Sequence, residues 1–121
     1  MARLLLPLFC LVLVACTSNP PSPDAFAAAE RAIEAAEAVG ADELAPTELR
    51  FARERLEAAR QAMDSRDYDI AYNDIERAEI NATLAIEKSR AATERRKVNE
   101  LRRANDMLRE ELVNTYGEDW E

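Results

Sequence analysis

The chain of 121 residues has no histidine, two cysteines, two glycines and one tryptophan. Without histidine it lacks the side chain that titrates nearest neutral pH, so acid–base or metal chemistry would fall to carboxylates alone. Two glycines and an aromatic content of 6% suit long helices with thin contacts. Positive charge is the scarcer sign, with 16 Lys and Arg against 24 Asp and Glu and a formal charge of -8. That balance does not suit a nucleic-acid partner. About a hundred residues beyond the first segment make one small domain at most.

Long apolar runs are also lacking, with one exception at the start. Arg3 gives a short positive beginning, and Leu4 to Val14 form an apolar run of about eleven residues, too short to span a bilayer as a helix but suited to a signal-peptide core. The run ends in Leu13-Val14-Ala15-Cys16, which resembles the lipobox of bacterial lipoproteins. The resemblance implies that residues 1–15 are a cleaved signal peptide and that Cys16 carries covalent lipid; an ordinary signal peptide with an incidental cysteine is the alternative. Two or three acyl chains on one residue, at roughly 0.8 kcal/mol per buried methylene, anchor a protein firmly. Cys10 would leave with the signal peptide and Cys16 would be consumed by lipid, so neither a free thiol nor a disulfide is expected. Thr17, where aspartate would mark retention, implies sorting to the outer membrane with the chain facing the periplasm.

What remains is rich in alanine, glutamate and arginine, the composition of long helices with thin contacts. Residues 16–23, polar and proline-rich, read as a flexible tether behind the lipidated cysteine. Ser22, Pro23 and Asp24 form a helix start, and the patterns predict helices over about 24–39, 46–65 and 67–115, with 116–121 as a tail. The first helix offers a sparse apolar face of Phe26, Ala29, Ile33 and Ala36, ended by Gly40, and 41–45 reads as a connector. In the second, Leu49, Ala52, Leu56, Ala59 and Met63 recur at steps of three and four. Arg50/Glu54 and Arg53/Glu57 are spaced to pair on the opposite side. After the polar turn Ser65-Arg66-Asp67, the positions Tyr68, Ala71, Ile75, Ala78, Ala82 and Ala85 repeat that spacing. Tyr72, Ile80, Leu84 and Ile86 widen this face, which the first helix should cover. The expected fold is all-α: an alanine-rich antiparallel helical hairpin with an extra N-terminal helix and a long C-terminal helix, coiled-coil-like at its end.

That ending carries the most distinctive pattern. The alanine stripe fails where it would need Arg96, and Val98, Leu101, Asn105, Leu108 and Leu112 begin a heptad-like association seam with asparagine at an inward position. A solvated helical tail is the other reading. Overlapping the seam, Lys88, Arg90, Arg95, Arg96, Lys97, Arg102 and Arg103 make the one basic stretch of an acidic chain. Arg95, Arg96, Lys97, Arg102 and Arg103 could contact an anionic polymer such as peptidoglycan or lipopolysaccharide. Glu87/Arg90, Glu94/Lys97, Glu100/Arg103 and Asp106/Arg109, each three apart, favour instead an exposed, self-paired face. Tyr116 and Trp120 fall outside the helical pattern.

Ala45-Pro46 with Glu48-Leu49, the ladder Ala52, Ala59, Ala62, and Tyr68 with Ala71, Ala78, Ala82 and Ala85 resemble the bacterial lipoprotein domain called domain of unknown function 4398, over roughly Ala45 to Arg103. Members of that family occur alone behind a lipobox or ahead of an OmpA-like peptidoglycan-binding domain. No such domain follows here, so the resemblance carries no wall-binding activity with it. The hairpin is also similar to a single tetratricopeptide unit, but one unit makes no array.

Catalysis finds little support. The carboxylate clusters Glu30, Glu34, Glu37 and Asp64, Asp67, Asp69 read as solvated surface and turn residues, and the second lacks the glycine and terminal glutamate of a calcium loop. No metal and no cofactor beyond the lipid on Cys16 is expected, and no enzymatic activity. The reading is a structural or protein-interaction role in the cell envelope, as tether, spacer or accessory subunit. Its partners would be the membrane through the anchor and, through the seam, a homodimer mate or another envelope protein. Binding of an anionic envelope polymer through 88–103 is the alternative.

Overall fold

The computed structural model describes residues 19–117. The signal-peptide reading, Cys16, Thr17 and Trp120 lie outside the described residues. Helix α1 (Pro23–Ala38) starts where the Ser22 hydroxyl accepts a hydrogen bond from the Ala25 amide at 3.3 Å, with Pro23 in the first turn beside Asp24. Gly40, left-handed at φ 77°, then redirects the chain. The stretch expected as a plain connector contains a short helix, α2 (Ala41–Leu44), because Ala41 and Ala45 fall on one side of a single turn and both are buried in the core.

Pro46 opens α3 (Pro46–Asp64). The turn that follows is a Schellman closure: the Arg66 amide bonds the Met63 carbonyl at 3.0 Å and the Asp67 amide the Ala62 carbonyl at 2.8 Å. Arg66 occupies the left-handed position of this closure at φ 62°, a place that favours glycine. Helix α4 (Tyr68–Tyr116) is then unbroken over 49 residues, roughly 73 Å at 1.5 Å per residue. It takes in Tyr116, a residue expected in the tail, because nothing interrupts the backbone bonds before Gly117.

Helices α3 and α4 form the antiparallel hairpin. Arg55 pairs with Asp74 near its turn at 3.1 Å, and Glu48 pairs with Lys88 near its open end. Between them the stripes Leu49, Ala52, Leu56, Ala59 and Ile75, Ala78, Ala82, Ala85 are buried. Most of these residues end at Cβ, so the helix backbones approach closely and the contact is thin but continuous. Helix α1 adds Ala29, Ile33 and Ala36 and lies chiefly on α4. Arg60 to Glu30 at 2.7 Å and Arg53 to Glu37 at 2.6 Å and Asp42 at 3.1 Å tie α1 and α2 to α3. The all-α architecture, with its extra N-terminal helix and long C-terminal helix, is the one expected.

Three details differ from the sequence reading. Tyr72, Ile80 and Leu84 are exposed instead of being covered by α1; of that group only Ile86 packs against the core. Ala62 is buried where Met63 was expected, which is half-exposed. The end of the proline-rich stretch is docked: Pro21 is buried, and the Tyr72 hydroxyl donates to the Pro20 carbonyl at 3.4 Å. A flexible tether therefore does not reach to residue 23.

Candidate functional site

The hairpin covers only part of α4. Ser89 is its last buried residue and Thr93, whose hydroxyl bonds the Ser89 carbonyl, is half-buried. From Glu94 to Tyr116 every side chain except that of Val113 is exposed. These 23 residues extend roughly 35 Å beyond the packed body as a single helical arm.

All the residues of the expected association seam sit on this arm. Val98 is 45% exposed, Leu101 71%, Leu108 58% and Leu112 40%, with Asn105 exposed among them. Four large apolar side chains on one side of a helix, none of them packed against the hairpin, form a contiguous apolar strip with no contact to cover it among the described residues. The strip does not continue the buried stripe. Stepping on from Ala78, Ala82, Ala85 and Ser89 by three and four leads to Ala92, Arg96 and Arg103, about half a turn away from the seam. Stepping back from Val98 in sevens leads to Ala91 and Leu84, with Ile80 between turns, and Ile80 and Leu84 are among the exposed apolar residues. The outward strip thus runs from Ile80 to Leu112, interrupted at Glu87 and Glu94, which pair with Arg90 at 2.9 Å and Lys97 at 2.8 Å.

The basic residues flank the same strip. Arg95, Arg96, Lys97, Arg102 and Arg103 are all exposed. Among the described residues, Lys97 is the one of these five with an ion pair; the expected partnerships of Glu100 with Arg103 and of Asp106 with Arg109 are not closed. Nor does Arg53 take Glu57, which lies beside Arg60 at 3.5 Å, because tertiary partners on α1 and α2 claim it.

Elsewhere the surface offers less. Open grooves of about 270 to 350 Å³ line the α1–α3 seam and the base of the arm. The first is edged by Glu30, Glu34 and Glu37, and Glu30 and Glu37 serve there as ion-pair partners of α3. Hydrogen bonds that Arg53 donates first to Glu37 and Arg60 first to Glu30 hold both guanidinium groups above their already high range, so these are permanent charges. No cluster of three metal-ligating side chains and no helix long and apolar enough to cross a membrane occurs among the described residues.

No curated protein and no solved structure matches the chain. A family model does match, that of the domain of unknown function DUF4398, over residues 24–101. The match begins with α1, earlier than the hairpin residues that suggested it, and ends at Leu101 inside the seam. Since it spans well over half of the 121 residues, the chain belongs to the DUF4398 family.

Proposed function

We propose that this chain is a lipid-anchored protein of the bacterial cell envelope, held at the outer membrane by Cys16 and facing the periplasm. Its role is structural, as tether, spacer or accessory subunit, and it acts by pairing the arm of α4 with another helix. The observation that carries this reading is the exposed apolar strip from Val98 to Leu112, since a projecting helix that keeps large apolar side chains in heptad order is built for a helical mate.

The placement of the two ends supports a spacer. Pro20 is bonded to Tyr72 beside the hairpin turn, and Cys16 precedes it by four residues. The arm leaves the body at the opposite end. From Tyr72 to Tyr116 the helix covers roughly 66 Å, so lipid at Cys16 would anchor one extremity and leave the seam at the other. Incorporation of radiolabelled palmitate, lost in Cys16→Ser, tests the anchor. Cross-linking in intact cells from a photoreactive residue at Ala104, which borders the seam, compared with the same probe at Glu54 on the body, tests the arm. Adducts that depend on Leu101 and Leu108 are expected from Ala104, and equal labelling from both positions would sink the pairing reading.

A second reading rests on the basic residues without ion pairs, Arg95, Arg96, Arg102 and Arg103, which could meet an anionic envelope polymer. Pelleting with purified cell-wall sacculi at low and moderate salt separates the two. Binding by exposed charge falls steeply with ionic strength, whereas apolar pairing does not.

A further inference from the structure

We infer that the occupant of the arm is an acidic amphipathic helix from a different chain, not a second copy of this one. The inference rests on the pairing reading above and names the chemistry of the partner.

Heptad geometry decides which residues border the seam. With Val98, Asn105 and Leu112 at one inward position and Leu101 and Leu108 at the other, the residues immediately flanking them are Arg95, Arg102 and Arg109 on one side and Lys97, Ala104 and Glu111 on the other. One heptad earlier the second flank carries Arg90. One border of the seam is therefore entirely basic, and the other runs from basic Arg90 and Lys97, each paired within the helix, through Ala104 to acidic Glu111, in a chain whose formal charge is -8. All of these residues are exposed, and Arg95, Arg102 and Arg109 have no ion pair among the described residues.

Self-pairing would bring like charges together in either orientation. In a parallel pair in register, one flank faces the other flank of the mate five residues further on, so Lys97 would meet Arg102 and Arg90 would meet Arg95, each twice by symmetry. In an antiparallel pair each flank faces its own kind, so on the all-arginine flank Arg102 would meet Arg102 or Arg109, which outnumbers the one attractive match on the other flank, Lys97 with Glu111. Such contacts oppose association, while the same positions facing Glu or Asp favour it. A helix carrying apolar residues at its own inward positions, a polar residue to meet Asn105 and carboxylates opposite Arg95, Lys97, Arg102 and Arg109 complements the arm. A lipid surface fits less well. The strip is only two positions per heptad wide, has no aromatic residue and contains Asn105, whereas helices that lie in the interface present a broad apolar face.

The test uses residues 17–121, which retain every buried core residue, and synthetic four-heptad peptides with leucine at the inward positions, one asparagine to match Asn105, and either glutamate or lysine at all flanking positions. The chain alone is expected to sediment as a monomer, and the glutamate peptide to bind at least roughly tenfold more tightly than the lysine peptide, from several opposite-charge contacts acting together. The triple variant Arg95→Glu, Arg102→Glu, Arg109→Glu should reverse that preference, with helical content by circular dichroism unchanged because these side chains touch nothing in the body. Sedimentation as a dimer that Leu101→Asp with Leu108→Asp abolishes would overturn the acidic-partner inference and leave helix pairing standing. Absence of both self-association and peptide binding would overturn the pairing reading as well. Binding to phosphatidylglycerol vesicles that the same double variant loses would make the arm a membrane-facing helix and overturn both.

Discussion

Glu48 on α3 and Lys88 on α4, 40 residues apart, form an ion pair that closes the open end of the hairpin just before the arm leaves it. The hydrogen bond from the Lys88 ammonium, joined by a backbone bond, holds the Glu48 carboxyl below the usual glutamate range. A carboxyl whose pKa is depressed by folding adds stability that is complete above its unfolded value and disappears as pH falls through its folded value. The contribution should therefore be present at pH 7 and decline below about pH 5. In Glu48→Gln the urea midpoint should be lower than that of the parent at neutral pH, and the two should converge as pH falls through the folded-state value of Glu48. A constant offset across that range would show that the substitution acts through packing instead.

Two left-handed residues give predictions of opposite sign. Arg66 stands at φ 62° in the hairpin turn, where a side chain costs roughly 1 kcal/mol relative to glycine. Arg66→Gly should raise the melting temperature by several degrees. Gly40, at φ 77°, has open space around a would-be Cβ, the nearest atom being Leu44 Cδ1 at 3.9 Å. Gly40→Ala should thus lose about 1 kcal/mol from backbone strain alone, without a steric clash. Thermal unfolding followed by circular dichroism reads both.

The closeness of α3 and α4 depends on alanine at positions where nothing larger fits. Ala82 is fully buried among the hairpin stripes. Ala82→Leu should push the helices apart and destabilise by about 1–3 kcal/mol. Leu49, the most deeply buried leucine among the described residues, marks the contrary case, and Leu49→Ala should cost about 2–5 kcal/mol by leaving a cavity. Denaturant titration at pH 7 measures both losses, and a neutral Ala82→Leu would mean that the thin contact has slack.

The hairpin was legible because its two stripes, from Leu49 to Ala59 and from Ala71 to Ala85, each hold one face of a helix through several turns. Spacing alone then says which residues meet. The same spacing misled at Ile80 and Leu84. They belong to a second apolar register that begins on the back of α4 while the first is still buried, and a one-dimensional pattern merges two faces of one helix. Arg53 was assigned the local partner Glu57, but Glu37 and Asp42 lie closer once α1 and α2 have docked. The single turn of α2 is too short to show a period, and the docking of Pro20 and Pro21 is a tertiary event that proline-rich composition cannot display. For the candidate site, the heptad order of Val98, Leu101, Asn105, Leu108 and Leu112 was readable from the sequence. That they face away from the hairpin, on an arm extending past it, follows only from where the core stops at Ser89.

That stopping point predicts a gradient of stability along one helix. Residues from Ala71 to Ala85 unfold only when the hairpin does, so their amides should exchange with solvent at the rate set by global unfolding. Beyond Glu94 the helix is exposed and, among the described residues, makes no ion pair with the body; an isolated helix of this length is marginal in water, supported here by continuity with the body and by local pairs such as Glu94 with Lys97. Hydrogen exchange of residues 17–121 should therefore show strong protection at Ala78 and Ala82 and weak protection from Leu101 to Leu112. Removing residues 98–121 should shift the melting temperature of the body by no more than a few degrees, since none of the core is lost. A bound helix would change the pattern selectively, raising protection in the arm while leaving that of Ala78 and Ala82 where it was. Protection as strong at Leu108 as at Ala82 in the free chain would mean that the arm is already packed against something, and a second copy would be the first candidate.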